Sequence, residues 1–180
     1  MKRLILSMFI VALAGCATLS KEECRQGNWH AIGLKDGMEG EPAARLALHR
    51  EACSEYGVRP DERSYLDGRT SGLQSYCQLE NAIATGLRGE TYHAVCPHGI
   101  DGEFRRRHSA AYAVYEARSR MESIESSIRS AESRLHKKNL DDKSRDRIHS
   151  ELHALERQYH RARDDYDFQQ RQLDRLLDQR

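Results

Sequence analysis

Beyond residue 110 the apolar positions recur in alternating steps of three and four. Val114, Ala117, Met121, Ile124, Ile128, Ala131 and Leu135 form one series. Ile148, Leu152, Leu155, Tyr159, Ala162, Tyr166, Gln169, Leu173 and Leu176 form a second, in which only Gln169 is polar. This spacing lays side chains in one stripe along an α-helix, the heptad seam of a coiled coil. The first series does not run into the second: continued from Leu135 it lands on Lys138, Asp142 and Arg145. The break falls at Asn139-Leu140-Asp141-Asp142, where Asn can close one helix in the left-handed conformation and Asp can cap the next. The pattern predicts an antiparallel helical hairpin over about 110–180, in preference to one continuous helix in a multimeric coiled coil. Its arms of ~30 and ~37 residues would be ~45 and ~55 Å long. Tyr115, Tyr159, Tyr166 and Phe168 cannot all lie on one seam, so apolar surface is expected to remain for the N-terminal domain or a partner.

Glycine and proline separate this segment from the rest. Residues 103–180 contain neither, whereas eleven glycines lie between Gly27 and Gly102, with Pro42, Pro60 and Pro97 among them. The first part is nonetheless expected to be mostly helical. Gly33 and Gly37 are four apart, as are Gly68 and Gly72, and Gly86 and Gly89 are three apart. Glycine costs ~1 kcal/mol in a helix interior, so helical spacing implies that close backbone packing compensates. Pro42 suits the first turn of a helix ending before Gly57, and Pro60-Asp61 opens another that carries Tyr65, Leu73 and Tyr76. Residues 89–99 have the composition of a loop.

The N-terminus carries a different apolar pattern. Lys2 and Arg3 precede an apolar run from Leu4 to Ala14, too short for the ~20 residues of a spanning helix but of the length of a secretory signal. Small residues and a cysteine follow directly, in Leu13-Ala14-Gly15-Cys16. That is the arrangement of a bacterial lipoprotein precursor, which predicts acylation of Cys16 after removal of residues 1–15. With two or more acyl chains the attachment is stable, since each buried methylene contributes ~0.8 kcal/mol. Residue Ala17 is not the aspartate that retains such proteins at the inner membrane. By similarity to that sorting rule, the periplasmic face of the outer membrane is the expected location. Residues 16–23 are expected to be a short tether.

Four cysteines remain, Cys24, Cys53, Cys77 and Cys96, an even number in an exported chain and hence a disulfide framework. Four cysteines allow three connectivities. If 28–38 and 42–56 form a short helical hairpin, Cys24 meets Cys53. A loop returning along helix 79–88 likewise brings Cys96 to Cys77. Zinc is the weaker alternative, because the gaps contain no Cys-x-x-Cys pair.

Charge is nearly balanced over the mature chain but not along it: residues 16–104 carry net −5 and residues 105–180 net +4. The basic half interleaves 14 acids with its 18 basic side chains, which is a solvated mixed surface and not a nucleic-acid footprint. His149 and His153 share a helical face near Glu156, and His93, Cys96 and His98 cluster, yet neither has a metal-site signature. No nucleophile elbow or phosphate-cradling loop occurs, so no catalytic, cofactor or metal residues are assigned and the chain is expected not to be an enzyme. Trp29, Tyr65, Tyr76 and Tyr92 are expected in the core. Were they instead to line a groove, they would suit a glycan or peptide, or a small envelope enzyme.

The run Cys24, Trp29, Ile32-Gly33, Asp36-Gly37, Gly40, Cys53, Gly57-Val58, Pro60-Asp61, Tyr65, Gly68-Arg69, Gly72-Leu73, Tyr76-Cys77, Asn81, Gly86, Gly89, Tyr92 and Val95-Cys96-Pro97 resembles a family of bacterial lipoproteins catalogued as domain of unknown function 2799. The similarity continues into Phe104, Tyr112 and the charged tail; His108-Ser109-Ala110-Ala111 departs from it where a glycine-bearing helix start is expected. The resemblance implies an envelope location and no reaction. The expected protein is all-α: a signal peptide (1–15), a tether (16–23), a disulfide-bonded helical domain (24–104) and a charged hairpin (105–180). Its expected role is that of a non-catalytic structural or interaction module. Its partners would be the membrane, through Cys16, and a protein, through the hairpin.

Overall fold

Side-chain oxygens that can accept from free N–H groups mark where several helices start. In the computed structural model, which describes residues 18–178, Ser20, Asn28, Asp61 and Asp141 accept from the backbone N–H three residues on. The helices are α1 (Lys21–Gln26), α2 (Trp29–Met38), α3 (Arg45–Ser54), α4 (Glu62–Tyr76), α5 (Leu79–Leu87), α6 (His98–Leu135) and α7 (Asp142–Asp178). Among the described residues there is no strand, so the chain is all-α.

The spaced glycines hold α2 against α4. A Cβ on Gly33, Gly37, Gly68 or Gly72 would lie within 3.0 Å of the opposing helix backbone, chiefly its carbonyl oxygens. Gly33 faces Tyr65 and Arg69, Gly37 faces Arg69 and Gly72, and Gly68 and Gly72 face residues 30–38 in the same rising order. The two helices therefore run parallel, with α3 returning between them in sequence. The Cα hydrogen standing where a Cβ would be points at a carbonyl, the geometry of a Cα–H···O contact.

Two apolar clusters share this frame, and each contains one disulfide. Leu19, Trp29, Leu46 and Tyr65 surround Cys24–Cys53; Tyr76, Ala82 and Phe104 surround Cys77–Cys96. The Cα atoms are 5.4 and 5.6 Å apart, as a bridge requires. The pairs are those that the short-hairpin layout favours. The bridges close loops with sequence separations of 29 and 19 residues, so loop entropy assigns each about 3–4 kcal/mol. Replacing either pair by alanines is expected to lower the urea-unfolding free energy by that amount, and reduction of the wild type should reproduce the double loss. A loss below about 1 kcal/mol for either pair would show that the surrounding helices hold the cluster without it.

Every seam position from Val114 to Leu135 and from Ile148 to Leu176 is buried or half-buried. Arg120 pairs with Asp165 (2.6 Å) and Arg134 with Glu151 (2.5 Å). These pairs lie fourteen residues apart on both helices, two heptads in one antiparallel register. The long C-terminal hairpin turns over 136–141. Asn139 does not take the left-handed conformation: among the described residues Ala94 is the non-glycine residue with positive φ. The α6 end closes instead through the His136 N–H on the Arg134 carbonyl.

Three boundaries differ from those expected. Residues 18–23 are not a free tether, because Leu19 sits in the first core and Ser20 and Glu23 form a reciprocal capping box on α1. The loop after Gly89 ends at Pro97, where α6 begins, since proline fixes a backbone suited to a helix start. No domain edge falls at 104/105, which is interior to α6. Leu173, Leu177 and Tyr166 of α7 also pack on Ala111, Val114, Ile83 and Leu87, so the hairpin base is welded onto α5 and α6.

Candidate functional site

Three helices bring polar side chains into the first core. Asp36 follows α2's glycine face, His49 lies between Leu46 and Cys53 on α3, and Tyr65 opens α4's glycine face. All three are buried, at 5%, 1% and 0% exposure. One carboxylate oxygen, Asp36 Oδ2, accepts from His49 Nε2–H (2.8 Å) and Tyr65 O–H (2.5 Å). The other imidazole nitrogen, Nδ1, is 2.8 Å from Thr18 Oγ1. Nδ1 accepts from the Thr18 hydroxyl when the ring is neutral and donates to Thr18 Oγ1 when it is protonated.

Burial alone raises the Asp36 carboxyl. Hydrogen bonds from His49 and Tyr65, and the charges of His49 and Arg45, outweigh it and hold the group below the ordinary carboxylate range. Burial, then the bond to Asp36, pushes the Tyr65 phenol far up. The cluster is thus anchored on an ionised Asp36.

Thr18, His49 and Asp36 stand in the order of a hydroxyl–imidazole–carboxylate relay. Geometry also asks for a place where substrate could sit, and none of these residues lines any of five clefts on the described surface. The relay also has a mechanical consequence. Together with Leu19 it fastens the segment two residues beyond Cys16 to the body of the domain. Cys16 itself and residues 1–15 lie outside the described residues.

The sequence shows no partner for His49, since Asp36 and Tyr65 are 13 and 29 residues from their counterparts. Two signals were nonetheless present: His49 occupies an apolar helical face, and Ser20-Lys21-Glu22-Glu23 has the capping-box spacing.

Residues 28–113 match the model of a family described as a protein of unknown function (DUF2799). This segment is a DUF2799 domain. It spans α2 to the early turns of α6, and so includes the glycine interface, the Asp36–His49–Tyr65 cluster and the Cys77–Cys96 bridge. The match ends at Ala113, so the charged tail lies beyond it. Comparison with curated proteins and with solved structures found no match.

Within the DUF2799 domain Trp29 and Tyr65 are sealed in the first core, and Tyr76 lies in the second with its ring over Gly40. Only Tyr92 of the four aromatics is half-exposed, and it borders a cleft with His108 and Tyr112. In α7, His153 Nδ1 pairs with Glu156 at 3.3 Å on an exposed face. Cys96 is taken by its disulfide, away from any ligation by His93 and His98. Among the described residues no three His, Cys, Asp or Glu side chains are placed to hold a metal, and no helix is long and apolar enough to cross a membrane.

Proposed function

We propose that this chain is a non-catalytic lipoprotein of the cell envelope, held through acyl groups on Cys16 at the periplasmic face of the outer membrane, whose hairpin engages a protein partner. The observation that carries the reading is the attachment of Thr18 and Leu19 to the folded core. Acyl chains only two residues upstream would hold the whole domain against the lipid surface without a flexible spacer. The Leu13-Ala14-Gly15-Cys16 sequence supplies the acylation signal. The two disulfides suit an oxidising compartment.

The hairpin is the part with surface to offer. Its base is buried on α5, but Met121, Ile124, Ile128, Leu152, Leu155 and Tyr159 stay only half-covered. Two helices seal one stripe each, and a third or fourth helix from a partner would complete the burial.

Mass spectrometry of the mature protein is expected to find acylated Cys16 at its N-terminus, and Cys16→Ser to leave soluble or unprocessed chain. An unacylated mature protein that starts elsewhere rejects the anchor. The hairpin is tested separately by replacing residues 121–164 with a short turn, which keeps the Arg120–Asp165 pair and the buried base. Both disulfides should persist while crosslinks to the partner, formed in the intact envelope, disappear. Undiminished crosslinking would move the interaction to the DUF2799 domain.

A further inference from the structure

A second feature, independent of the anchor and the hairpin, lies on the DUF2799 domain. The loop after α5 and the first turns of α6 enclose an open cleft of about 420 Å³ bordered by Tyr92, His108 and Tyr112. This is within the range of small-molecule sites. His108 is 94% buried, at 6% exposure, and its ring stacks with Phe104 on one side and Tyr112 on the other, with centroids 6.5 and 5.9 Å away. Its Nε2 is 2.8 Å from the Glu90 carbonyl. A carbonyl only accepts, so Nε2 carries the proton and Nδ1 of the neutral ring is a bare acceptor. Among the described residues Nδ1 makes no hydrogen bond, and it is not one of the sealed unpaired atoms, so it remains open to solvent. An imidazole fixed by stacking and by its Nε2–H, at the wall of a cleft and with an open Nδ1, presents an oriented acceptor that a ligand can reach.

We propose that this cleft binds a saccharide ring. The tyrosines supply apolar walls for the C–H face of a sugar. Thr91, Ser109, Arg105 and Glu116 place hydroxyl, guanidinium and carboxylate groups around the same opening, donors and acceptors together. A sugar hydroxyl donates to His108 Nδ1 and its neighbours engage the rim. A purely apolar ligand would leave these polar groups desolvated and unpaired. One cation and one anion at the rim, with the Arg105 guanidinium already on Asp101 at 2.7 Å, favour a neutral ligand over a charged one. Ala94, also at the cleft, holds φ +53°, a conformation that non-glycine residues rarely adopt.

The test uses the full chain in a detergent without a sugar headgroup, with chitotriose and maltotriose as probes. At millimolar concentration one of them is expected to shift the His108 ring-nitrogen resonance and the Tyr112 ring signals. His108→Gln keeps an amide donor for the Glu90 carbonyl but moves the acceptor away from the Nδ1 position and removes the stacked ring; it should weaken binding at least tenfold. Tyr112→Leu, at a half-exposed position, should do the same, so the result does not depend on one variant folding. Phe168→Ser, on the hairpin, should bind as wild type. The proposal is overturned if neither trisaccharide moves these resonances, if both cleft variants bind undiminished, or if Gly-Tyr-Gly binds there and the sugars do not, which would make the cleft a peptide site.

Discussion

Gly68→Ala is expected to destabilise the protein by about 3 kcal/mol, although alanine is the better helix former. Propensity alone would favour the substitution by up to ~1 kcal/mol. The opposing term is steric: a Cβ at Gly68 would press on the backbone of His30 and Leu34, which cannot rotate away as a side chain does. The helices must separate, and overpacking of that kind costs about 1–3 kcal/mol or more. Against a total stability of about 5–15 kcal/mol the loss is large. Gly33→Ala meets Tyr65 and Arg69 in the same way. The double variant should fall short of additivity, because one separation of α2 from α4 relieves both clashes. Gly102 in α6 has nothing within 4 Å of its virtual Cβ, so Gly102→Ala should leave stability unchanged or raise it by up to ~1 kcal/mol. Urea midpoints for the three single variants decide the matter. Equal midpoints for Gly68→Ala and Gly102→Ala would mean that α2 and α4 are not held by their glycines.

Those glycines also show what a sequence can carry. Helical spacing of Gly33 with Gly37 and of Gly68 with Gly72 is legible because a residue with such poor helix propensity needs a compensating contact. That α2 and α4 are each other's contact, and parallel, is not legible, since spacing specifies a face and not its partner. The hairpin is legible for the complementary reason: a heptad seam is a local pattern, and its phase break at 139–142 is local too. Pro97, Gly99 and Gly102 concealed the true start of α6, as breakers next to a helix start look the same as breakers within a loop. The least legible feature is the site. Asp36, His49, Tyr65 and Thr18 come from separate segments, and polar side chains on amphipathic helices ordinarily face water. His108 is concealed likewise, its burial depending on a loop that returns Glu90 and Tyr92 over it.

Asp36→Ala is expected to cost about 3–5 kcal/mol, the penalty for breaking a buried ionic cluster by removing one partner. It leaves the His49 Nε2–H and the Tyr65 O–H buried with no acceptor. Asp36→Asn retains an acceptor oxygen and should cost less, about 1–2 kcal/mol. The pH dependence distinguishes this cluster from a packing defect. Asp36 titrates below its unfolded value, near 3.9, so its contribution is fully present above about pH 4 and is lost as pH falls through the lowered folded value. Tyr65 has the opposite sign. Its raised folded value makes its contribution complete below about pH 10 and progressively lost at higher pH. Glu23, Asp101, Glu103 and Asp141 are also lowered and steepen the acid limb of every variant. The informative quantity is therefore the difference between wild type and Asp36→Asn. That difference should shrink below about pH 4 as Asp36 takes up its proton, and change again above about pH 10 where Tyr65 ionises. A gap independent of pH over the whole range would mean that the carboxylate charge does not hold the cluster together. Hydrogen exchange at the Cys24 amide, bonded to the Ser20 carbonyl at 3.0 Å, gives the structural counterpart: Asp36→Ala should accelerate it, because His49 loses the carboxylate that orients it toward Thr18.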